Sequence, residues 1–254
     1  MSLTRRFRAL SLDLGETVWW DTPELAARHD GYRAEIFASV LRGPDGRPIP
    51  VARVAIASAE LRSEFTRAGR SHRTVSTRHK IEEIARRLGA HLAVSLDDTV
   101  AQYARAGLDI DPPSLNPEAV SLVKALNRVG VPVVAISNTQ RTGEAWRGFL
   151  SGGGLNFEFV ITSSDLEVAK PDPRLFREAA GRLSLAPQAV IHVGDRWSTD
   201  VLGALSVGMG AALYTGLWHR HWDREEGGAT DPGTDPGVFR WDDLRQAMPL
   251  FLDA

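Results

Sequence analysis

Three polar residues close the clearest apolar runs of this chain: Asp13 after Phe7 to Leu12, Ser137 after Val131 to Ile136, and Asp195 after Ala189 to Gly194. A free carboxylate at a strand end suits nucleophilic attack on phosphorus, because the acyl phosphate it forms hydrolyses readily and divides one hard displacement into two. The same aspartate could equally cap a following helix. In Gly194-Asp195-Arg196-Trp197-Ser198-Thr199-Asp200 the two acids are five residues apart. With Asp200 in a first helical turn, both reach one small cavity. Hard cations such as Mg²⁺ take oxygen ligands of this kind, usually one or two carboxylates with waters and a substrate phosphate; acids at a helix start are otherwise what the helix dipole favours. Ser137-Asn138-Thr139 offers groups that serve as plain helix caps or stand beside N–H groups that bind phosphate oxygens. Lys170-Pro171-Asp172-Pro173 carries one of only three lysines, with Lys80 and Lys124, while arginine supplies the other basic residues. It is either a surface turn or a place where a compact ammonium is kept because a planar guanidinium would not fit.

These residues need a scaffold that gathers strand ends. Helical apolar spacing over Glu24 to Leu41, Val51 to Ala68, Thr77 to Leu88 and Leu96 to Ala106 predicts an all-helical insert. After Asp109-Ile110-Asp111-Pro112-Pro113 an alternation begins: helix Pro117 to Arg128, strand Val131 to Ser137, helix Gly143 to Leu150, a strand near Phe157 to Thr162. Helix Pro173 to Leu183, strand Ala189 to Gly194, helix Ser198 to Val207 and strand Ala211 to Tyr214 complete it. Helices alternating with short apolar strands argue for an α/β protein whose parallel sheet is covered on both faces. Ligands of such sheets bind beyond the carboxyl ends of the strands, where the three polar residues sit. The tail reads as a turn-rich run from Gly227 to Gly237 and an amphipathic piece from Trp241 to Leu252.

Composition narrows the classes. The 254 residues carry 30 Lys and Arg against 32 Asp and Glu, a net charge of −2, so no global field points to a nucleic-acid partner. A hydrophobic fraction of 43% with 24% charged residues is that of a folded globular chain and excludes disordered and fibrous classes. No apolar run approaches the ~18–20 residues of a membrane span, and Met1 to Arg8 lacks the apolar stretch of a secretory signal, so a cytoplasmic location is expected. The absence of cysteine excludes a thiol nucleophile and thiolate metal sites.

A strand-end Asp, a helical insert, a strand-end Ser, a Lys-Pro turn and a Gly-Asp with a second Asp, in that order, resemble the haloacid dehalogenase superfamily, in particular members with a helical cap inserted after the first strand. The likeness spans about Arg8 to Tyr214. It implies a Rossmann-like doubly wound parallel core (1–18 and 117–254) with an inserted all-helical cap (19–116). By position, Asp13 matches the nucleophile, Thr17 the threonine of the first motif, Ser137 with Asn138 the phosphate-binding second motif, and Lys170 the catalytic lysine of the third. Asp195 and Asp200 match the magnesium-associated acids of the fourth. The resemblance implies a Mg²⁺-dependent phosphatase that acts on a small phosphorylated metabolite through an aspartyl-phosphate. It leaves a homodimer open.

The departure is Gly15. The family's phosphatases usually carry an aspartate there that protonates the leaving oxygen; a glycine can offer only its carbonyl, as a magnesium ligand. Losing a general acid costs ~10²–10⁴ in rate. Three outcomes follow: a substrate with a good leaving group, replacement by Glu16 or a cap residue, or a non-catalytic phospho-ligand-binding or regulatory protein. A 2-haloacid dehalogenase is a further alternative, disfavoured because Gly194-Asp195 is intact. Trp19 and Trp20 read as aromatic packing or as an apolar wall for substrate. Arg70, Arg73 and Arg78 read as a solvated face of the cap or as substrate contacts, and His219 with His221 as loop. Ser151-Gly152-Gly153-Gly154 precedes a strand, which argues against a phosphate-cradling loop.

Overall fold

The computed structural model describes residues 7–67, 75–216 and 237–251. Its centre is a six-stranded parallel sheet: β1 (Ala9–Leu12), β2 (Val133–Ser137), β3 (Val160–Thr162), β4 (Val190–Gly194), β5 (Gly210–Tyr214) and β6 (Val238–Trp241). The spatial order is β6-β5-β4-β1-β2-β3, the doubly wound arrangement in which strand order reverses between β1 and β4. Leu12 pairs with Ala135 on one side and Val193 on the other. That register leaves Asp13, Ser137 and Asp195 at one end of the sheet, beside the reversal.

Side-chain alternation fills both faces. Leu10, Leu12, Ile191 and Val193 face one apolar cluster with Leu122, Leu126 and Trp146, while Ala9, Val190 and Ile136 face another with Phe176, Ala179 and Val201. The covering helices start where short polar side chains bond a helix-start N–H and proline takes the first turn. Asn116 caps α5 (Pro117–Arg128) and Asp172 caps α7 (Pro173–Arg182) in this way; Thr142 caps α6 (Gly143–Gly152) without a proline.

Among the described residues, four helices run between β1 and α5: α1 (Pro23–Val40), α2 (Val51–Arg67), α3 (Thr77–Arg87) and α4 (Leu96–Arg105), within two residues of the sequence expectation at each end. They share an apolar cluster of their own around Phe37, Leu41, Leu61, Ile81 and Ile84. The two chain crossings to this insert pair as a short antiparallel ribbon, Trp19 with Leu115 and Trp20 with Ser114. Asn116 closes the ribbon, its Nδ2 donating to the Thr17 carbonyl at 2.9 Å and to the Tyr214 hydroxyl at 3.0 Å.

Two segments differ from expectation. The helix read over Ser198 to Val207 begins one residue earlier as a π-helical turn, Trp197–Val201, and continues as a single α-helical turn, Leu202–Leu205. At the tail, Val238–Trp241 is an edge strand parallel to β5, and Leu244–Leu250 is a 3₁₀ helix. Pro249 lies inside that last piece, where the missing N–H disfavours regular α-helix.

Candidate active site

The Asp13 amide donates to the Val193 carbonyl at 2.8 Å, so the β1–β4 ladder runs one residue past β1. This holds the Asp13 carboxylate, which is 7% exposed, beside the strand reversal. The Lys170 ammonium lies 2.6 Å from Asp13 Oδ1 and 2.5 Å from Asp200 Oδ1. Lys170 is itself fixed by Asn138, whose Nδ2 donates to the Lys170 carbonyl at 3.0 Å and whose Oδ1 accepts from the Lys170 amide at 2.8 Å. Asn138, expected on a substrate phosphate, thus has its amide on the main chain of Lys170. Ser137 ends β2 buried at the same sheet edge.

Asp13, Asp195 and Asp200 each offer an oxygen, and these atoms lie within 4.8 Å of one another. Gly194 makes this possible. A Cβ there would stand 2.7 Å from Asp200 Cβ and closer still to its Cγ. The π-helical turn, frequent at functional sites, brings Asp200 back over Gly194. Its Oδ2 accepts from the Arg196 amide at 3.0 Å, and its Oδ1 faces His192 Nε2 at 3.3 Å. His192 Nδ1 is 2.8 Å from the Ser11 hydroxyl across the β1–β4 pair. Ser11 and His192 escaped sequence reading because a polar residue inside an apolar strand reads as core; their cross-strand partnership is visible only once the register is known.

Burial raises the Asp195 carboxyl well above the ordinary range, and the Asp13 and Asp200 charges push the same way. Burial opposes charge on Asp200 too, yet Lys170 and His192 outweigh it and hold that carboxylate below its usual value. Lys170 is likewise opposed by burial and raised by its two carboxylate neighbours. Burial and the Lys170 charge lower His192, favouring a neutral imidazole. Lys170 thus pairs with Asp13 and Asp200, while Asp195 Oδ2 lies 3.8 Å from the half-exposed Arg196 guanidinium. An all-oxygen donor set short of positive charge fits a hard divalent cation such as Mg²⁺.

In the loop after Asp13, Gly15 bridges to Trp19, Glu16 takes a left-handed conformation (φ 57), and Thr17 is fully buried with no hydrogen-bond partner for its hydroxyl. The Trp19 ring stacks on Trp146 at 4.9 Å, and the Arg141 guanidinium covers Trp146 at 5.7 Å. Arg141, which sequence reasoning did not single out, is a buried cation joining the insert to the sheet. It donates to the Ala104 and Ala106 carbonyls at the end of α4 at 2.6 and 2.9 Å, and lies 3.1 Å from His29 Nδ1. Burial, with the Arg33 charge nearby, pulls its guanidinium down to about 9, still protonated at neutral pH.

Arg78 is half-exposed and pairs with Asp97. Arg70, Arg73, His219 and His221 lie outside the described residues. A concavity of about 600 Å³ lined by Asn127, Arg147, Asn156 and Glu158 opens at the amino ends of β2 and β3, away from the carboxylates. No helix among the described residues is long and apolar enough to cross a membrane.

A doubly wound sheet with a carboxylate, a lysine and an acid pair at its reversal defines a Rossmann-like α/β protein with a candidate site at the strand ends. The haloacid dehalogenase-like hydrolase family matches residues 7–208, and the chain belongs to that family. Phosphatases are among its relatives. It is 34% identical over 136 residues to a phosphoserine phosphatase of Thermus thermophilus, covering 53% of this chain and 50% of that protein. It is 38% identical over 96 residues to the mouse haloacid dehalogenase-like hydrolase domain-containing protein 3, covering 37% of each. These matches span half or less of the relatives' own length. Among solved structures, a HAD phosphatase from Thermococcus onnurineus superposes with a TM-score of 0.60 over 96% of this chain and 98% of that one, at 19% identity. A 2-haloacid dehalogenase from Pseudomonas syringae gives 0.58 over 96% and 97%, at 20% identity. At such identities these two likenesses speak for the fold alone.

Proposed function

We propose that this chain is a Mg²⁺-dependent phosphatase acting on a small phosphorylated metabolite, with Asp13 as the nucleophile. The observation that carries the reading is the Asp13 carboxylate flanked by the Lys170 ammonium at 2.6 Å and by two further buried acids at one strand end. An Asp13 oxygen bonds to phosphorus as the bond from phosphorus to the leaving oxygen breaks. Water then attacks the aspartyl-phosphate, releasing phosphate and restoring the carboxylate. Lys170 and Ser137 hold phosphoryl oxygens, stabilisation that is worth most in a buried, preorganised site. Asp13, the Gly15 carbonyl, Asp195 and Asp200 are the groups that would hold Mg²⁺, whose part is to neutralise charge on the phosphoryl oxygens. Residues 19–116 act as a cap that excludes water, turning on the Trp19–Leu115 ribbon.

The test is a panel of phosphate esters and acyl phosphates with Mg²⁺. Turnover that Asp13→Asn abolishes supports the reading, as does an adduct of beryllofluoride on Asp13. A folded protein that binds phosphorylated ligands but turns over none would instead be the regulatory protein that Gly15 also suggests.

A further inference from the structure

Gly15 stands where a proton donor for the leaving oxygen would be expected, and its backbone does not explain why. It is not in the left-handed region; Glu16 is. A Cβ added at position 15 would meet only the Trp19 ring, at 3.7 Å to Cζ2 and 4.0 Å to Cη2, which is ordinary van der Waals contact. Conformation and packing would therefore both accept a side chain there. The lack of a carboxyl group is a chemical property of this site and not a structural necessity.

What borders the space beside Gly15 is the indole edge of Trp19. Cζ2 is two bonds from Nε1 in the indole, so the N–H lies on the same edge. The ring is held by its stack on Trp146, with the planes 20° apart. The two tryptophans differ in one respect. Trp146 Nε1 donates to the Thr139 hydroxyl at 3.3 Å, whereas Trp19 Nε1 is buried without a hydrogen-bond partner. A buried donor left unmet is destabilising, so a fixed, unmet N–H beside Gly15 suits an acceptor that arrives with the substrate.

We propose, resting on the phosphatase reading, that the substrate class is phosphates whose leaving group departs unprotonated, namely acyl, anomeric or aryl phosphates. In this inference Trp19 Nε1 donates a hydrogen bond to the departing oxygen in place of a carboxylic acid. The bond between Asp13 oxygen and phosphorus forms while the phosphorus to leaving-oxygen bond breaks, and its electron pair stays on that oxygen. No proton is transferred, since an indole N–H donates a hydrogen bond but not its proton at neutral pH. In the second step the Asp13 carboxylate is expelled, again without need of an acid, and the attacking water's proton passes to the released phosphate.

The experiment compares acetyl phosphate, nitrophenyl phosphate, phenyl phosphate and glycerol phosphate with the full chain and Mg²⁺. The wild type is expected to lose turnover steeply along that series. Gly15→Asp is expected to raise the ratio of glycerol phosphate to acetyl phosphate turnover by about 10²-fold, the worth of a general acid. Trp19→Phe keeps an aromatic stack and removes the donor; it should lower kcat on the aryl phosphates by about 10-fold and steepen the leaving-group dependence, with KM little changed. Comparable wild-type rates on all four substrates would overturn this inference and leave the phosphatase reading standing, as would a Trp19→Phe variant with unaltered leaving-group dependence. No turnover of any substrate, acetyl phosphate included, would remove the phosphatase reading and this inference with it.

Discussion

The Lys170 ammonium lies between two carboxylates, 2.6 Å from Asp13 and 2.5 Å from Asp200, and is 5% exposed. One cation therefore orients the proposed nucleophile and ties the β1 end to the turn after β4. Lys170→Met keeps the length of the side chain and removes its charge. Removing one member of a buried charge cluster costs about 3–5 kcal/mol, because the carboxylates are left uncompensated. The variant should melt well below the parent in chelator and lose turnover by at least about 10²-fold. A melting temperature equal to the parent's in chelator would show that the ammonium does not compensate these acids.

Gly194 bears on the same cluster by having no side chain. Gly194→Ala would drive a methyl group into Asp200, and Asp200 cannot retreat without giving up Lys170 and the Arg196 amide. Overpacking of this kind costs about 1–3 kcal/mol. Loss of Asp200 from its place should lower the apparent affinity for Mg²⁺ as well as stability. Mg²⁺ titrations followed by thermal melting would show both effects, and an unchanged Mg²⁺ midpoint would argue that Asp200 has no part in holding the ion.

Much of this arrangement was legible in the sequence, for identifiable reasons. Pro23, Pro117 and Pro173 each follow a capping side chain, so those helix starts are written locally. Asp13, Ser137 and Asp195 each follow an apolar run, and a parallel sheet brings such residues to one edge. Partnerships between distant residues were not legible. Arg141 is one arginine among many until the fold sets it under the end of α4, and His192 reads as core until the register pairs it with Ser11. The edge strand Val238–Trp241 is only four residues long and follows a turn-rich run, so periodicity had little to work on. The Asn138 side chain is a similar case: nothing local shows that its amide meets the main chain of Lys170, thirty-two positions on.

Asp195 gives a prediction in which stability and function move in opposite directions. Burial first, and then Asp13 and Asp200, raise its carboxyl above the unfolded value. A folded state that binds the extra proton loses stability as pH climbs from the unfolded value through the folded one. In metal-free protein Asp195 is therefore a cost at neutral pH. Asp195→Asn should melt higher than the parent without metal, and the stabilisation by Mg²⁺, which acts by mass action on the folded state, should largely vanish. Melting curves of both proteins with and without Mg²⁺ check this. A variant less stable than the parent in chelator would contradict it.

His29 couples the insert to the sheet in a way that depends on pH. Its Nε2 lies 2.6 Å from the Asp111 carbonyl, which can only accept, and its Nδ1 lies 3.1 Å from the Arg141 guanidinium, which can only donate. The ring is thus the neutral tautomer protonated on Nε2. Burial lowers its pKa, the Arg141 and Arg33 charges lower it further, and the hydrogen bond to Asp111 with the charge of Asp21 opposes them in part. For a histidine depressed in the folded state the unfolded chain binds the proton first, so the contribution is fully present above about pH 6.5 and is lost as pH falls toward the folded value. The parent should therefore melt progressively lower between about pH 7.5 and pH 5.5. His29→Gln keeps one donor and one acceptor but does not titrate, so its melting temperature should vary less over the same interval. Equal pH dependence in the two proteins would place the titrating group elsewhere. Gly107 offers an independent check on the geometry, because its φ of +81 and the 2.9 Å approach an added Cβ would make to His29 Nε2 leave no room for a side chain. Gly107→Ala should lower stability at every pH, since it puts a side chain in the left-handed region and crowds the His29 ring.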